Sequence, residues 1–478
     1  VTADLPDPAA LLADCPRVRT ALDRAGWSVE SLDDLLGVTA RTHLDRDEVA
    51  PVLRRTSDGS PLATLARLFV AGVPVGPSQA TAAGVPASWL RSDGTAAIRL
   101  QPVEHGGVEV TVPHDAGRAA TGVHVEQVLG VGAASLTLAA ATPRRRVGRA
   151  LDLGSGCGIQ ALLAEDHATS VVATDRNPRA VAFTRLAAAL AGVEIDAREG
   201  DLLAPVDGEL FDLVVSNPPF VVSPKARYTY RDAGLDGDEV CSRLVHDLPT
   251  VLAPDGIAVL LVNWLHVEGE DGDDRVRRWF DDSGCDGWVV QRELAAPEDY
   301  VTAWLRDTDE GARFDELYGE WLDWFEQRRV EAVAFGVLAM RRRASGPTSV
   351  VIDDVQQPVA PSWGEEVVDH FARRDALAGD LLDVCWRLRD DVRLHQVAAR
   401  DEDGWAVETQ RLQQAAGLRW SGGTDEHGAA LLAACDGTMP LRTLFSLLAA
   451  GAGIAESEAV ETGLPVVRRL VEQGFLVP

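Results

Sequence analysis

Residues 149–165 read RALDLGSGCGIQALLAE. Ala150, Leu151 and Leu153 make a short apolar strand, and Asp152 stands at its end. Gly154, Ser155, Gly156 and Gly158 then turn the chain into a helix carrying Ile159, Leu162 and Leu163. Glycines at such a turn let the backbone reverse sharply and let a ligand approach without Cβ interference. The spacing is G-x-G-x-G. Ile159 stands where a dinucleotide fingerprint has its last glycine, and no lysine follows, so a phosphate-binding P-loop does not fit either. A tight strand-to-helix turn with no ligand carries the same signature, so the loop by itself decides only the local geometry.

The flanking sequence extends the pattern. Apolar runs at SVVATD, VEIDARE, FDLVVSN and GIAVLLVNW alternate with helical stretches, which predicts an α/β fold with a Rossmann-like parallel sheet and helices on both faces. GWVVQREL and EAVAFGVLAMRR add two more strands, joined by an acidic and aromatic insert at 296–330. Seven strands are therefore expected. VVATDRNP (171–178) places Asp175, followed by Arg176, at the end of the second strand. REGDLLAP (198–205) places Asp201, followed by Leu202, at the end of the third. A carboxylate in the first position can accept from both hydroxyls of a ribose, and one in the second from an adenine amino group. Each acid alone reads as a solvated loop residue. Three acids closing successive strands face one crevice, where open α/β sheets bind ligands.

The fourth strand runs into Ser216-Asn217-Pro218-Pro219-Phe220. Proline fixes φ, donates no hydrogen bond and pushes the residue before it towards extended geometry. The result is a stiff corner showing two acceptors, the Asn217 side-chain oxygen and the Pro218 carbonyl. Two fixed acceptors suit a target with two N–H donors, an NH₂ group, and Phe220 can stack on a flat target. Taken alone, Asn-Pro-Pro is a turn signal.

LDLGSGCG, ATDRN, EGDLL and SNPPF, in that order, resemble the class I S-adenosylmethionine-dependent methyltransferases, over roughly residues 120–343. The resemblance implies S-adenosylmethionine as cofactor. It implies a binding set of Asp152, Gly154, Ser155, Gly156, Gly158, Asp175, Arg176, Asp201 and Leu202. The lead-in helix before the first strand, with Gly132 and Ser135, would lie over the cofactor. The Asn-Pro-Pro-Phe corner, residues 217–220, would be catalytic. In that family the corner marks enzymes of planar exocyclic nitrogens: adenine N6, guanine N2 and the glutamine amide of release factors. Phe220 resembles the RNA-base enzymes. RDAGLDGDEVCSRLV (231–245) resembles the glutamine enzymes. The resemblance thus implies an RNA (rRNA or tRNA) or a translation-related protein as substrate. A non-enzymatic, DNA-binding sensor of S-adenosylmethionine is the alternative from another class.

The chain has 478 residues, more than one hydrophobic core usually accommodates. Three regions are expected. Residues 1–115 form an accessory domain of helices and a hairpin, in which Gly26 and Gly37 stop helices and Val108, Val110 and Val112 alternate. Residues 116–345 form the methyltransferase domain. Residues 346–478, after the linker RRRASGPTS (341–349), form a mostly helical, winged-helix-like unit with a helix following Pro465 and a last short strand. The net charge of −29 opposes non-specific nucleic-acid binding. Arg144, Arg145, Arg146 and Arg149, and Lys225, Arg227 and Arg231, are local patches that can hold phosphates or pair with carboxylates. Tyr228 and Tyr230 can stack on a base. Six scattered cysteines without a C-x-x-C pair and ten histidines without ligand spacing argue against a disulfide framework or a metal site. No run is long enough to span a bilayer and no signal peptide is apparent, so a cytoplasmic protein is expected.

Overall fold

The computed structural model describes residues 5–44, 46, 48–116, 126–219, 221–224, 238–306, 313–400 and 404–478. The chain forms two compact units, residues 1–139 with 145–354, and residues 140–144 with 355–478.

In the first unit, β1 (Arg99–His105) and β2 (Val108–His114) pair as an antiparallel hairpin. The main sheet uses β3 (Val147–Leu153), β4 (Ala168–Asp175), β5 (Asp196–Glu199), β6 (Phe211–Ser216), β7 (Leu252–Val267), β8 (Cys285–Ala295), β9 (Val330–Arg342) and β10 (Val350–Asp354). Its order is β10-β8-β9-β7-β6-β3-β4-β5. Strands β5, β4, β3, β6 and β7 run parallel, and β9 is antiparallel to both β7 and β8. The sheet has eight strands, one more than the sequence implies. The extra strand is β10, which pairs in parallel with β8 just after the glycine-proline stretch expected to be a linker. The chain leaves β3 towards β4 on one side and enters β6 on the other. This reversal opens a crevice at the carboxyl ends of β3 and β6.

The N-terminal helices share a core with the helix that follows β4. Val18 and Leu22 of helix Cys15–Ala25 cluster with Phe183, Leu186 and Leu190 of helix Pro178–Ala191. Gly26 ends the first helix at φ 68°, as its left-handed geometry requires. Gly37, at φ 68° and ψ 167°, likewise leaves helical geometry, ending the helix that starts at Val29 before a second one runs on to Leu44. Strand β7 runs well past the end of β6. There the insert helices Pro297–Arg306 and Phe314–Gln327 pack a second cluster around Tyr300, Val301, Leu317 and Phe325.

The second unit contains helices Glu365–Leu377, Glu426–Ala434, Leu441–Ala452 and Glu456–Glu472. Strand β11 (Arg387–Leu388) pairs with β15 (Leu476–Val477). The helix–helix–short strand run expected from the sequence is present, but Pro465 lies inside the last helix instead of preceding it. A three-stranded antiparallel sheet of β12 (Val392–Arg400), β13 (Trp405–Gln414) and β14 (Ser421–Thr424) accompanies the helices. Among the described residues no helix is long and apolar enough to cross a membrane.

Candidate active site

The carboxyl ends of β3, β4 and β6 open onto a cavity of about 650 Å³. It is lined by Asp152, Gly154, Ser155, Gly156, Asp175, Arg176, Asp201, Leu202, Asn217, Pro218 and Pro219, residues scattered over 68 positions of sequence, among others. Gly158 lies behind this wall. A Cβ there would meet Thr184 at 3.2 Å, so this glycine serves close packing of the loop against helix Pro178–Ala191. Phe220, Lys225, Arg227, Tyr228, Tyr230 and Arg231 lie outside the described residues.

The loop geometry follows from its glycines. Gly154, Gly156 and Gly158 hold φ of 79°, 53° and 84°, a region that costs side-chain-bearing residues energy. The Gly154 and Ser155 N–H groups both donate to the Thr174 carbonyl, at 2.8 and 3.0 Å, tying the loop to β4. Ser155 Oγ and Thr184 Oγ1 are 2.9 Å apart. A Cβ on Gly156 would meet nothing within 4 Å and one on Gly154 only the Asn217 carbonyl at 4.0 Å. Those Cβ atoms would project into open space beside the cavity.

Two acids brace this loop. Asp175 Oδ2 accepts from the Gly156 N–H at 2.9 Å and Oδ1 from the Asn177 N–H at 2.8 Å. Each oxygen keeps a second lone pair for a ligand hydroxyl. Burial raises the Asp175 pKa above the usual carboxylate range, against those two backbone donors. Asp152 is 2% exposed and accepts from the Ala161 N–H at 2.9 Å. Burial pushes its pKa up to about 7, offset by that hydrogen bond and reinforced by the charge of Asp175. Asp201 is exposed beyond β5, and Leu202 beside it holds φ 47°, a strained backbone placed at the cavity wall.

The corner is pinned at both ends. Ser216 pairs with Leu153 of β3 and Leu260 of β7, and its Oγ donates to the Leu153 carbonyl at 2.8 Å. Beyond the corner the Val222 N–H donates to Tyr300 Oη at 2.9 Å. Between these anchors Pro218 is buried and Asn217 half-buried. Among the described residues, no hydrogen bond engages the Asn217 amide or the Pro218 carbonyl.

Several supporting residues are silent in the sequence. Asp115, next to the hairpin, forms an ion pair with Arg179 of helix Pro178–Ala191, with side chains 1% and 9% exposed. Its Oδ2 also accepts from the Val128 N–H at 2.9 Å. Asp115 thereby fixes the segment 128–135, most of which lines the cavity. Gln101 of β1 grips the same segment at both polar groups of Val131, and Gln160 donates to the Ser135 carbonyl at 2.8 Å. Gly132 and Ser135 line the cavity with them. These partners lie 13 to 64 positions apart, and no local pattern announces them.

The arginine patch ahead of the glycine loop takes the structural of its two readings at Arg149. That residue stands near the amino end of β3, away from the cavity. It pairs with Glu209, donates to the Leu210 carbonyl at 3.3 Å and covers the Phe211 ring at 4.6 Å. Among the described residues no group of three or more acids, histidines and cysteines could hold a metal ion.

Comparison with known proteins agrees with this geometry. Residues 118–266 match the methyltransferase small domain, while residues 24–111 and 366–478 match two domains of unknown function. The release factor glutamine methyltransferase of Deinococcus radiodurans is 37% identical over 124 residues, 23% of this chain and 44% of that protein. The ribosomal RNA small subunit methyltransferase C of Alcanivorax borkumensis is 29% identical over 116 residues, 24% of this chain and 32% of that one. The chain thus spans less than half the length of either relative. A solved T. thermophilus 16S rRNA N2 methyltransferase, in complex with AdoMet and guanosine, aligns over 38% of this chain and 46% of its own, with 21% identity and a TM-score of 0.29. The segment from 118 to 266 that matches the methyltransferase small domain carries the glycine loop, Asp175, Asp201 and the Asn-Pro-Pro corner.

Proposed function

We propose that the chain is an S-adenosylmethionine-dependent N-methyltransferase of a planar exocyclic amino group, and that this group belongs to a base in structured RNA (rRNA or tRNA). The observation that carries the proposal is the pair of acceptors at Asn217 and Pro218, unclaimed among the described residues and held in the cavity that contains the glycine loop. When bound, S-adenosylmethionine supplies a methyl group on a positively charged sulfur. The protein's part is to hold both hydrogens of the target amine, so that its delocalised lone pair is directed at that carbon. This is catalysis by orientation and by dipoles fixed in advance. No strong base is needed before transfer, because the proton leaves once the nitrogen is cationic. The base must be unstacked to reach the corner.

Gly154, Ser155 and Gly156 form the cradle for the methionyl part of the cofactor, with Gly158 fixing the loop behind it and Arg176 at the rim. Asp175 holds the ribose and Asp201, with Leu202, the adenine. Asp175→Ala should weaken S-adenosylmethionine binding roughly 10- to 100-fold, since hydrogen bonds to a charged group contribute about 1.5–3 kcal/mol. Calorimetric titration checks this, and an unchanged Kd would mean that the ribose lies elsewhere.

Asp152 makes cofactor binding depend on pH. Its carboxyl ionises only as the pH rises through about 7, and the anion attracts the cationic cofactor. Affinity should climb from pH 6 to 8 and level off, by about tenfold if the bound cation lowers the Asp152 pKa by one unit. Asp152→Asn should flatten the curve. The ligand-free protein should show the opposite trend in stability. A raised carboxyl pKa contributes stability that is complete below the unfolded value near 3.8 and is lost as the pH climbs through about 7.

A second reading, methylation of a protein glutamine amide, is favoured by the name of the Deinococcus relative. A sensor without activity is disfavoured, because it needs no acceptors beside the methyl group. The parts outside the matched segment, the N-terminal helices and the C-terminal unit, would select the target in the cytoplasm. Comparing modified nucleosides and glutamine-containing peptides, by mass spectrometry, from cells with and without the gene tests these readings. A methylated base lost with the gene supports the first, a methylated glutamine the second, and no change opposes both.

A further inference from the structure

We infer that the insert helix Pro297–Arg306 is the substrate-side wall of the cavity, and that its Trp304 determines specificity by stacking on the flat base that offers its amine to Asn217. The inference rests on the base-methylating reading above. It concerns a part of the chain beyond residues 118–266, which the methyltransferase small domain does not cover.

Three observations carry it. Trp304 lines the same cavity as Asn217, Pro218 and Pro219, and it is the one aromatic residue among the described residues lining that cavity. The other lining residues on this side, Val240, Arg243 and Leu244, carry no ring. Secondly, the helix that carries Trp304 is locked in place by the corner itself. Tyr300, one turn before Trp304, accepts through Oη from the Val222 N–H at 2.9 Å and from Asn263 Nδ2 at 3.1 Å. Tyr300 also meets the Phe325 ring edge-on at 6.1 Å and the Trp304 ring at 6.1 Å. The indole thus packs in the same cluster as Val221 and Val222, where the chain leaves the corner. Thirdly, the helix sinks Tyr300, Val301 and Leu305 into its core while Trp304 stays half-buried, which leaves indole surface at the cavity.

The chemistry of an indole wall selects between target classes. A base has an extended π-face on which an aromatic side chain stacks, at about 1–3 kcal/mol per base. A glutamine amide has no ring and gains little from such a wall. Tyr300 in turn is a positioning residue. It holds the chain as it leaves the corner and carries the helix that presents Trp304.

The test uses the full chain, methyl-tritiated S-adenosylmethionine and, in separate reactions, total RNA and total protein from cells lacking the gene. Initial rates are measured against RNA concentration for the wild type, Trp304→Ala and Trp304→Phe. Trp304→Ala should raise the apparent KM for RNA about tenfold or more, which corresponds to about 1.4 kcal/mol. Cofactor Kd should stay at the wild-type value, Tm should fall only by the lost contact with Tyr300, and Trp304→Phe should recover most of the loss in KM. An unchanged KM in Trp304→Ala overturns the wall and leaves the base-methylating reading intact. A joint fall in Tm and cofactor affinity, with no recovery in Trp304→Phe, also overturns it, because it reduces Trp304 to a packing role. Label that enters polypeptide and never RNA in the wild type removes the base-methylating reading, and the stacking role with it.

Discussion

Asn217→Ala should lower kcat by about 10²–10³-fold while leaving the Kd for S-adenosylmethionine within about twofold of wild type. The division follows from where the side chain sits. Asn217 closes β6 on the cavity, with its amide engaged by no described residue, whereas the loop that cradles the cofactor is held by Thr174, Asp175 and Thr184. Removing the amide therefore takes one of two acceptors from the target amine and nothing from the loop. The backbone should not move, because Ser216 and Val222 anchor the corner from either side. Stopped single-turnover assays alongside calorimetric titration of the cofactor separate the two effects. A variant that loses cofactor binding in proportion to turnover would mean that Asn217 belongs to the cofactor site.

Asp115→Ala should destabilise the first unit by about 3–5 kcal/mol, since it strands the buried Arg179 guanidinium without its counter-charge. The Asp115 carboxylate also takes the Val128 N–H, so two groups lose a partner at once. Thermal and urea unfolding should both register the change, and the fraction still folded should bind S-adenosylmethionine more weakly because the segment 128–135 is released from its anchor. Replacing both partners with apolar residues of similar size should recover much of the loss, as it leaves no unpaired charge. If the double replacement is as unstable as Asp115→Ala alone, the effect comes from Val128 or from packing, not from the ion pair.

The parts of this molecule that could be read from sequence are those where a few neighbouring residues dictate backbone shape. Gly154, Gly156 and Gly158 need positive φ, and Pro218 and Pro219 stiffen a corner. The acids Asp152, Asp175 and Asp201 mark strand ends by position, and all three reach the cavity. What escaped depends on partners distant in the chain. Strand β10 is five residues of half-exposed chain that become a strand only by pairing with β8, more than sixty residues earlier. Strands β12 and β13 are exposed over most of their length, so the alternation at Val392-Arg393-Leu394-His395 marks no buried face. Pro465 looks like a helix boundary because proline disfavours a helix interior, yet the helix Glu456–Glu472 runs past it, and at Gly463 the missing side chain lets Phe445 approach. Asp115 with Arg179, and Tyr300 with Val222, are pairs whose members look unremarkable alone.

The central claim is geometric: a rigid pair of acceptors holds a flat amine in line with the methyl group of the cofactor. A crystal structure of the full chain with S-adenosylhomocysteine addresses it directly. The ligand should thread past Gly154 and Gly156, with its ribose on Asp175 and its sulfur facing Asn217 Oδ1 and the Pro218 carbonyl across a gap sized for one planar amine. A sulfur pointing away from those two oxygens, or a corner filled by the protein's own chain in the bound state, would contradict the account.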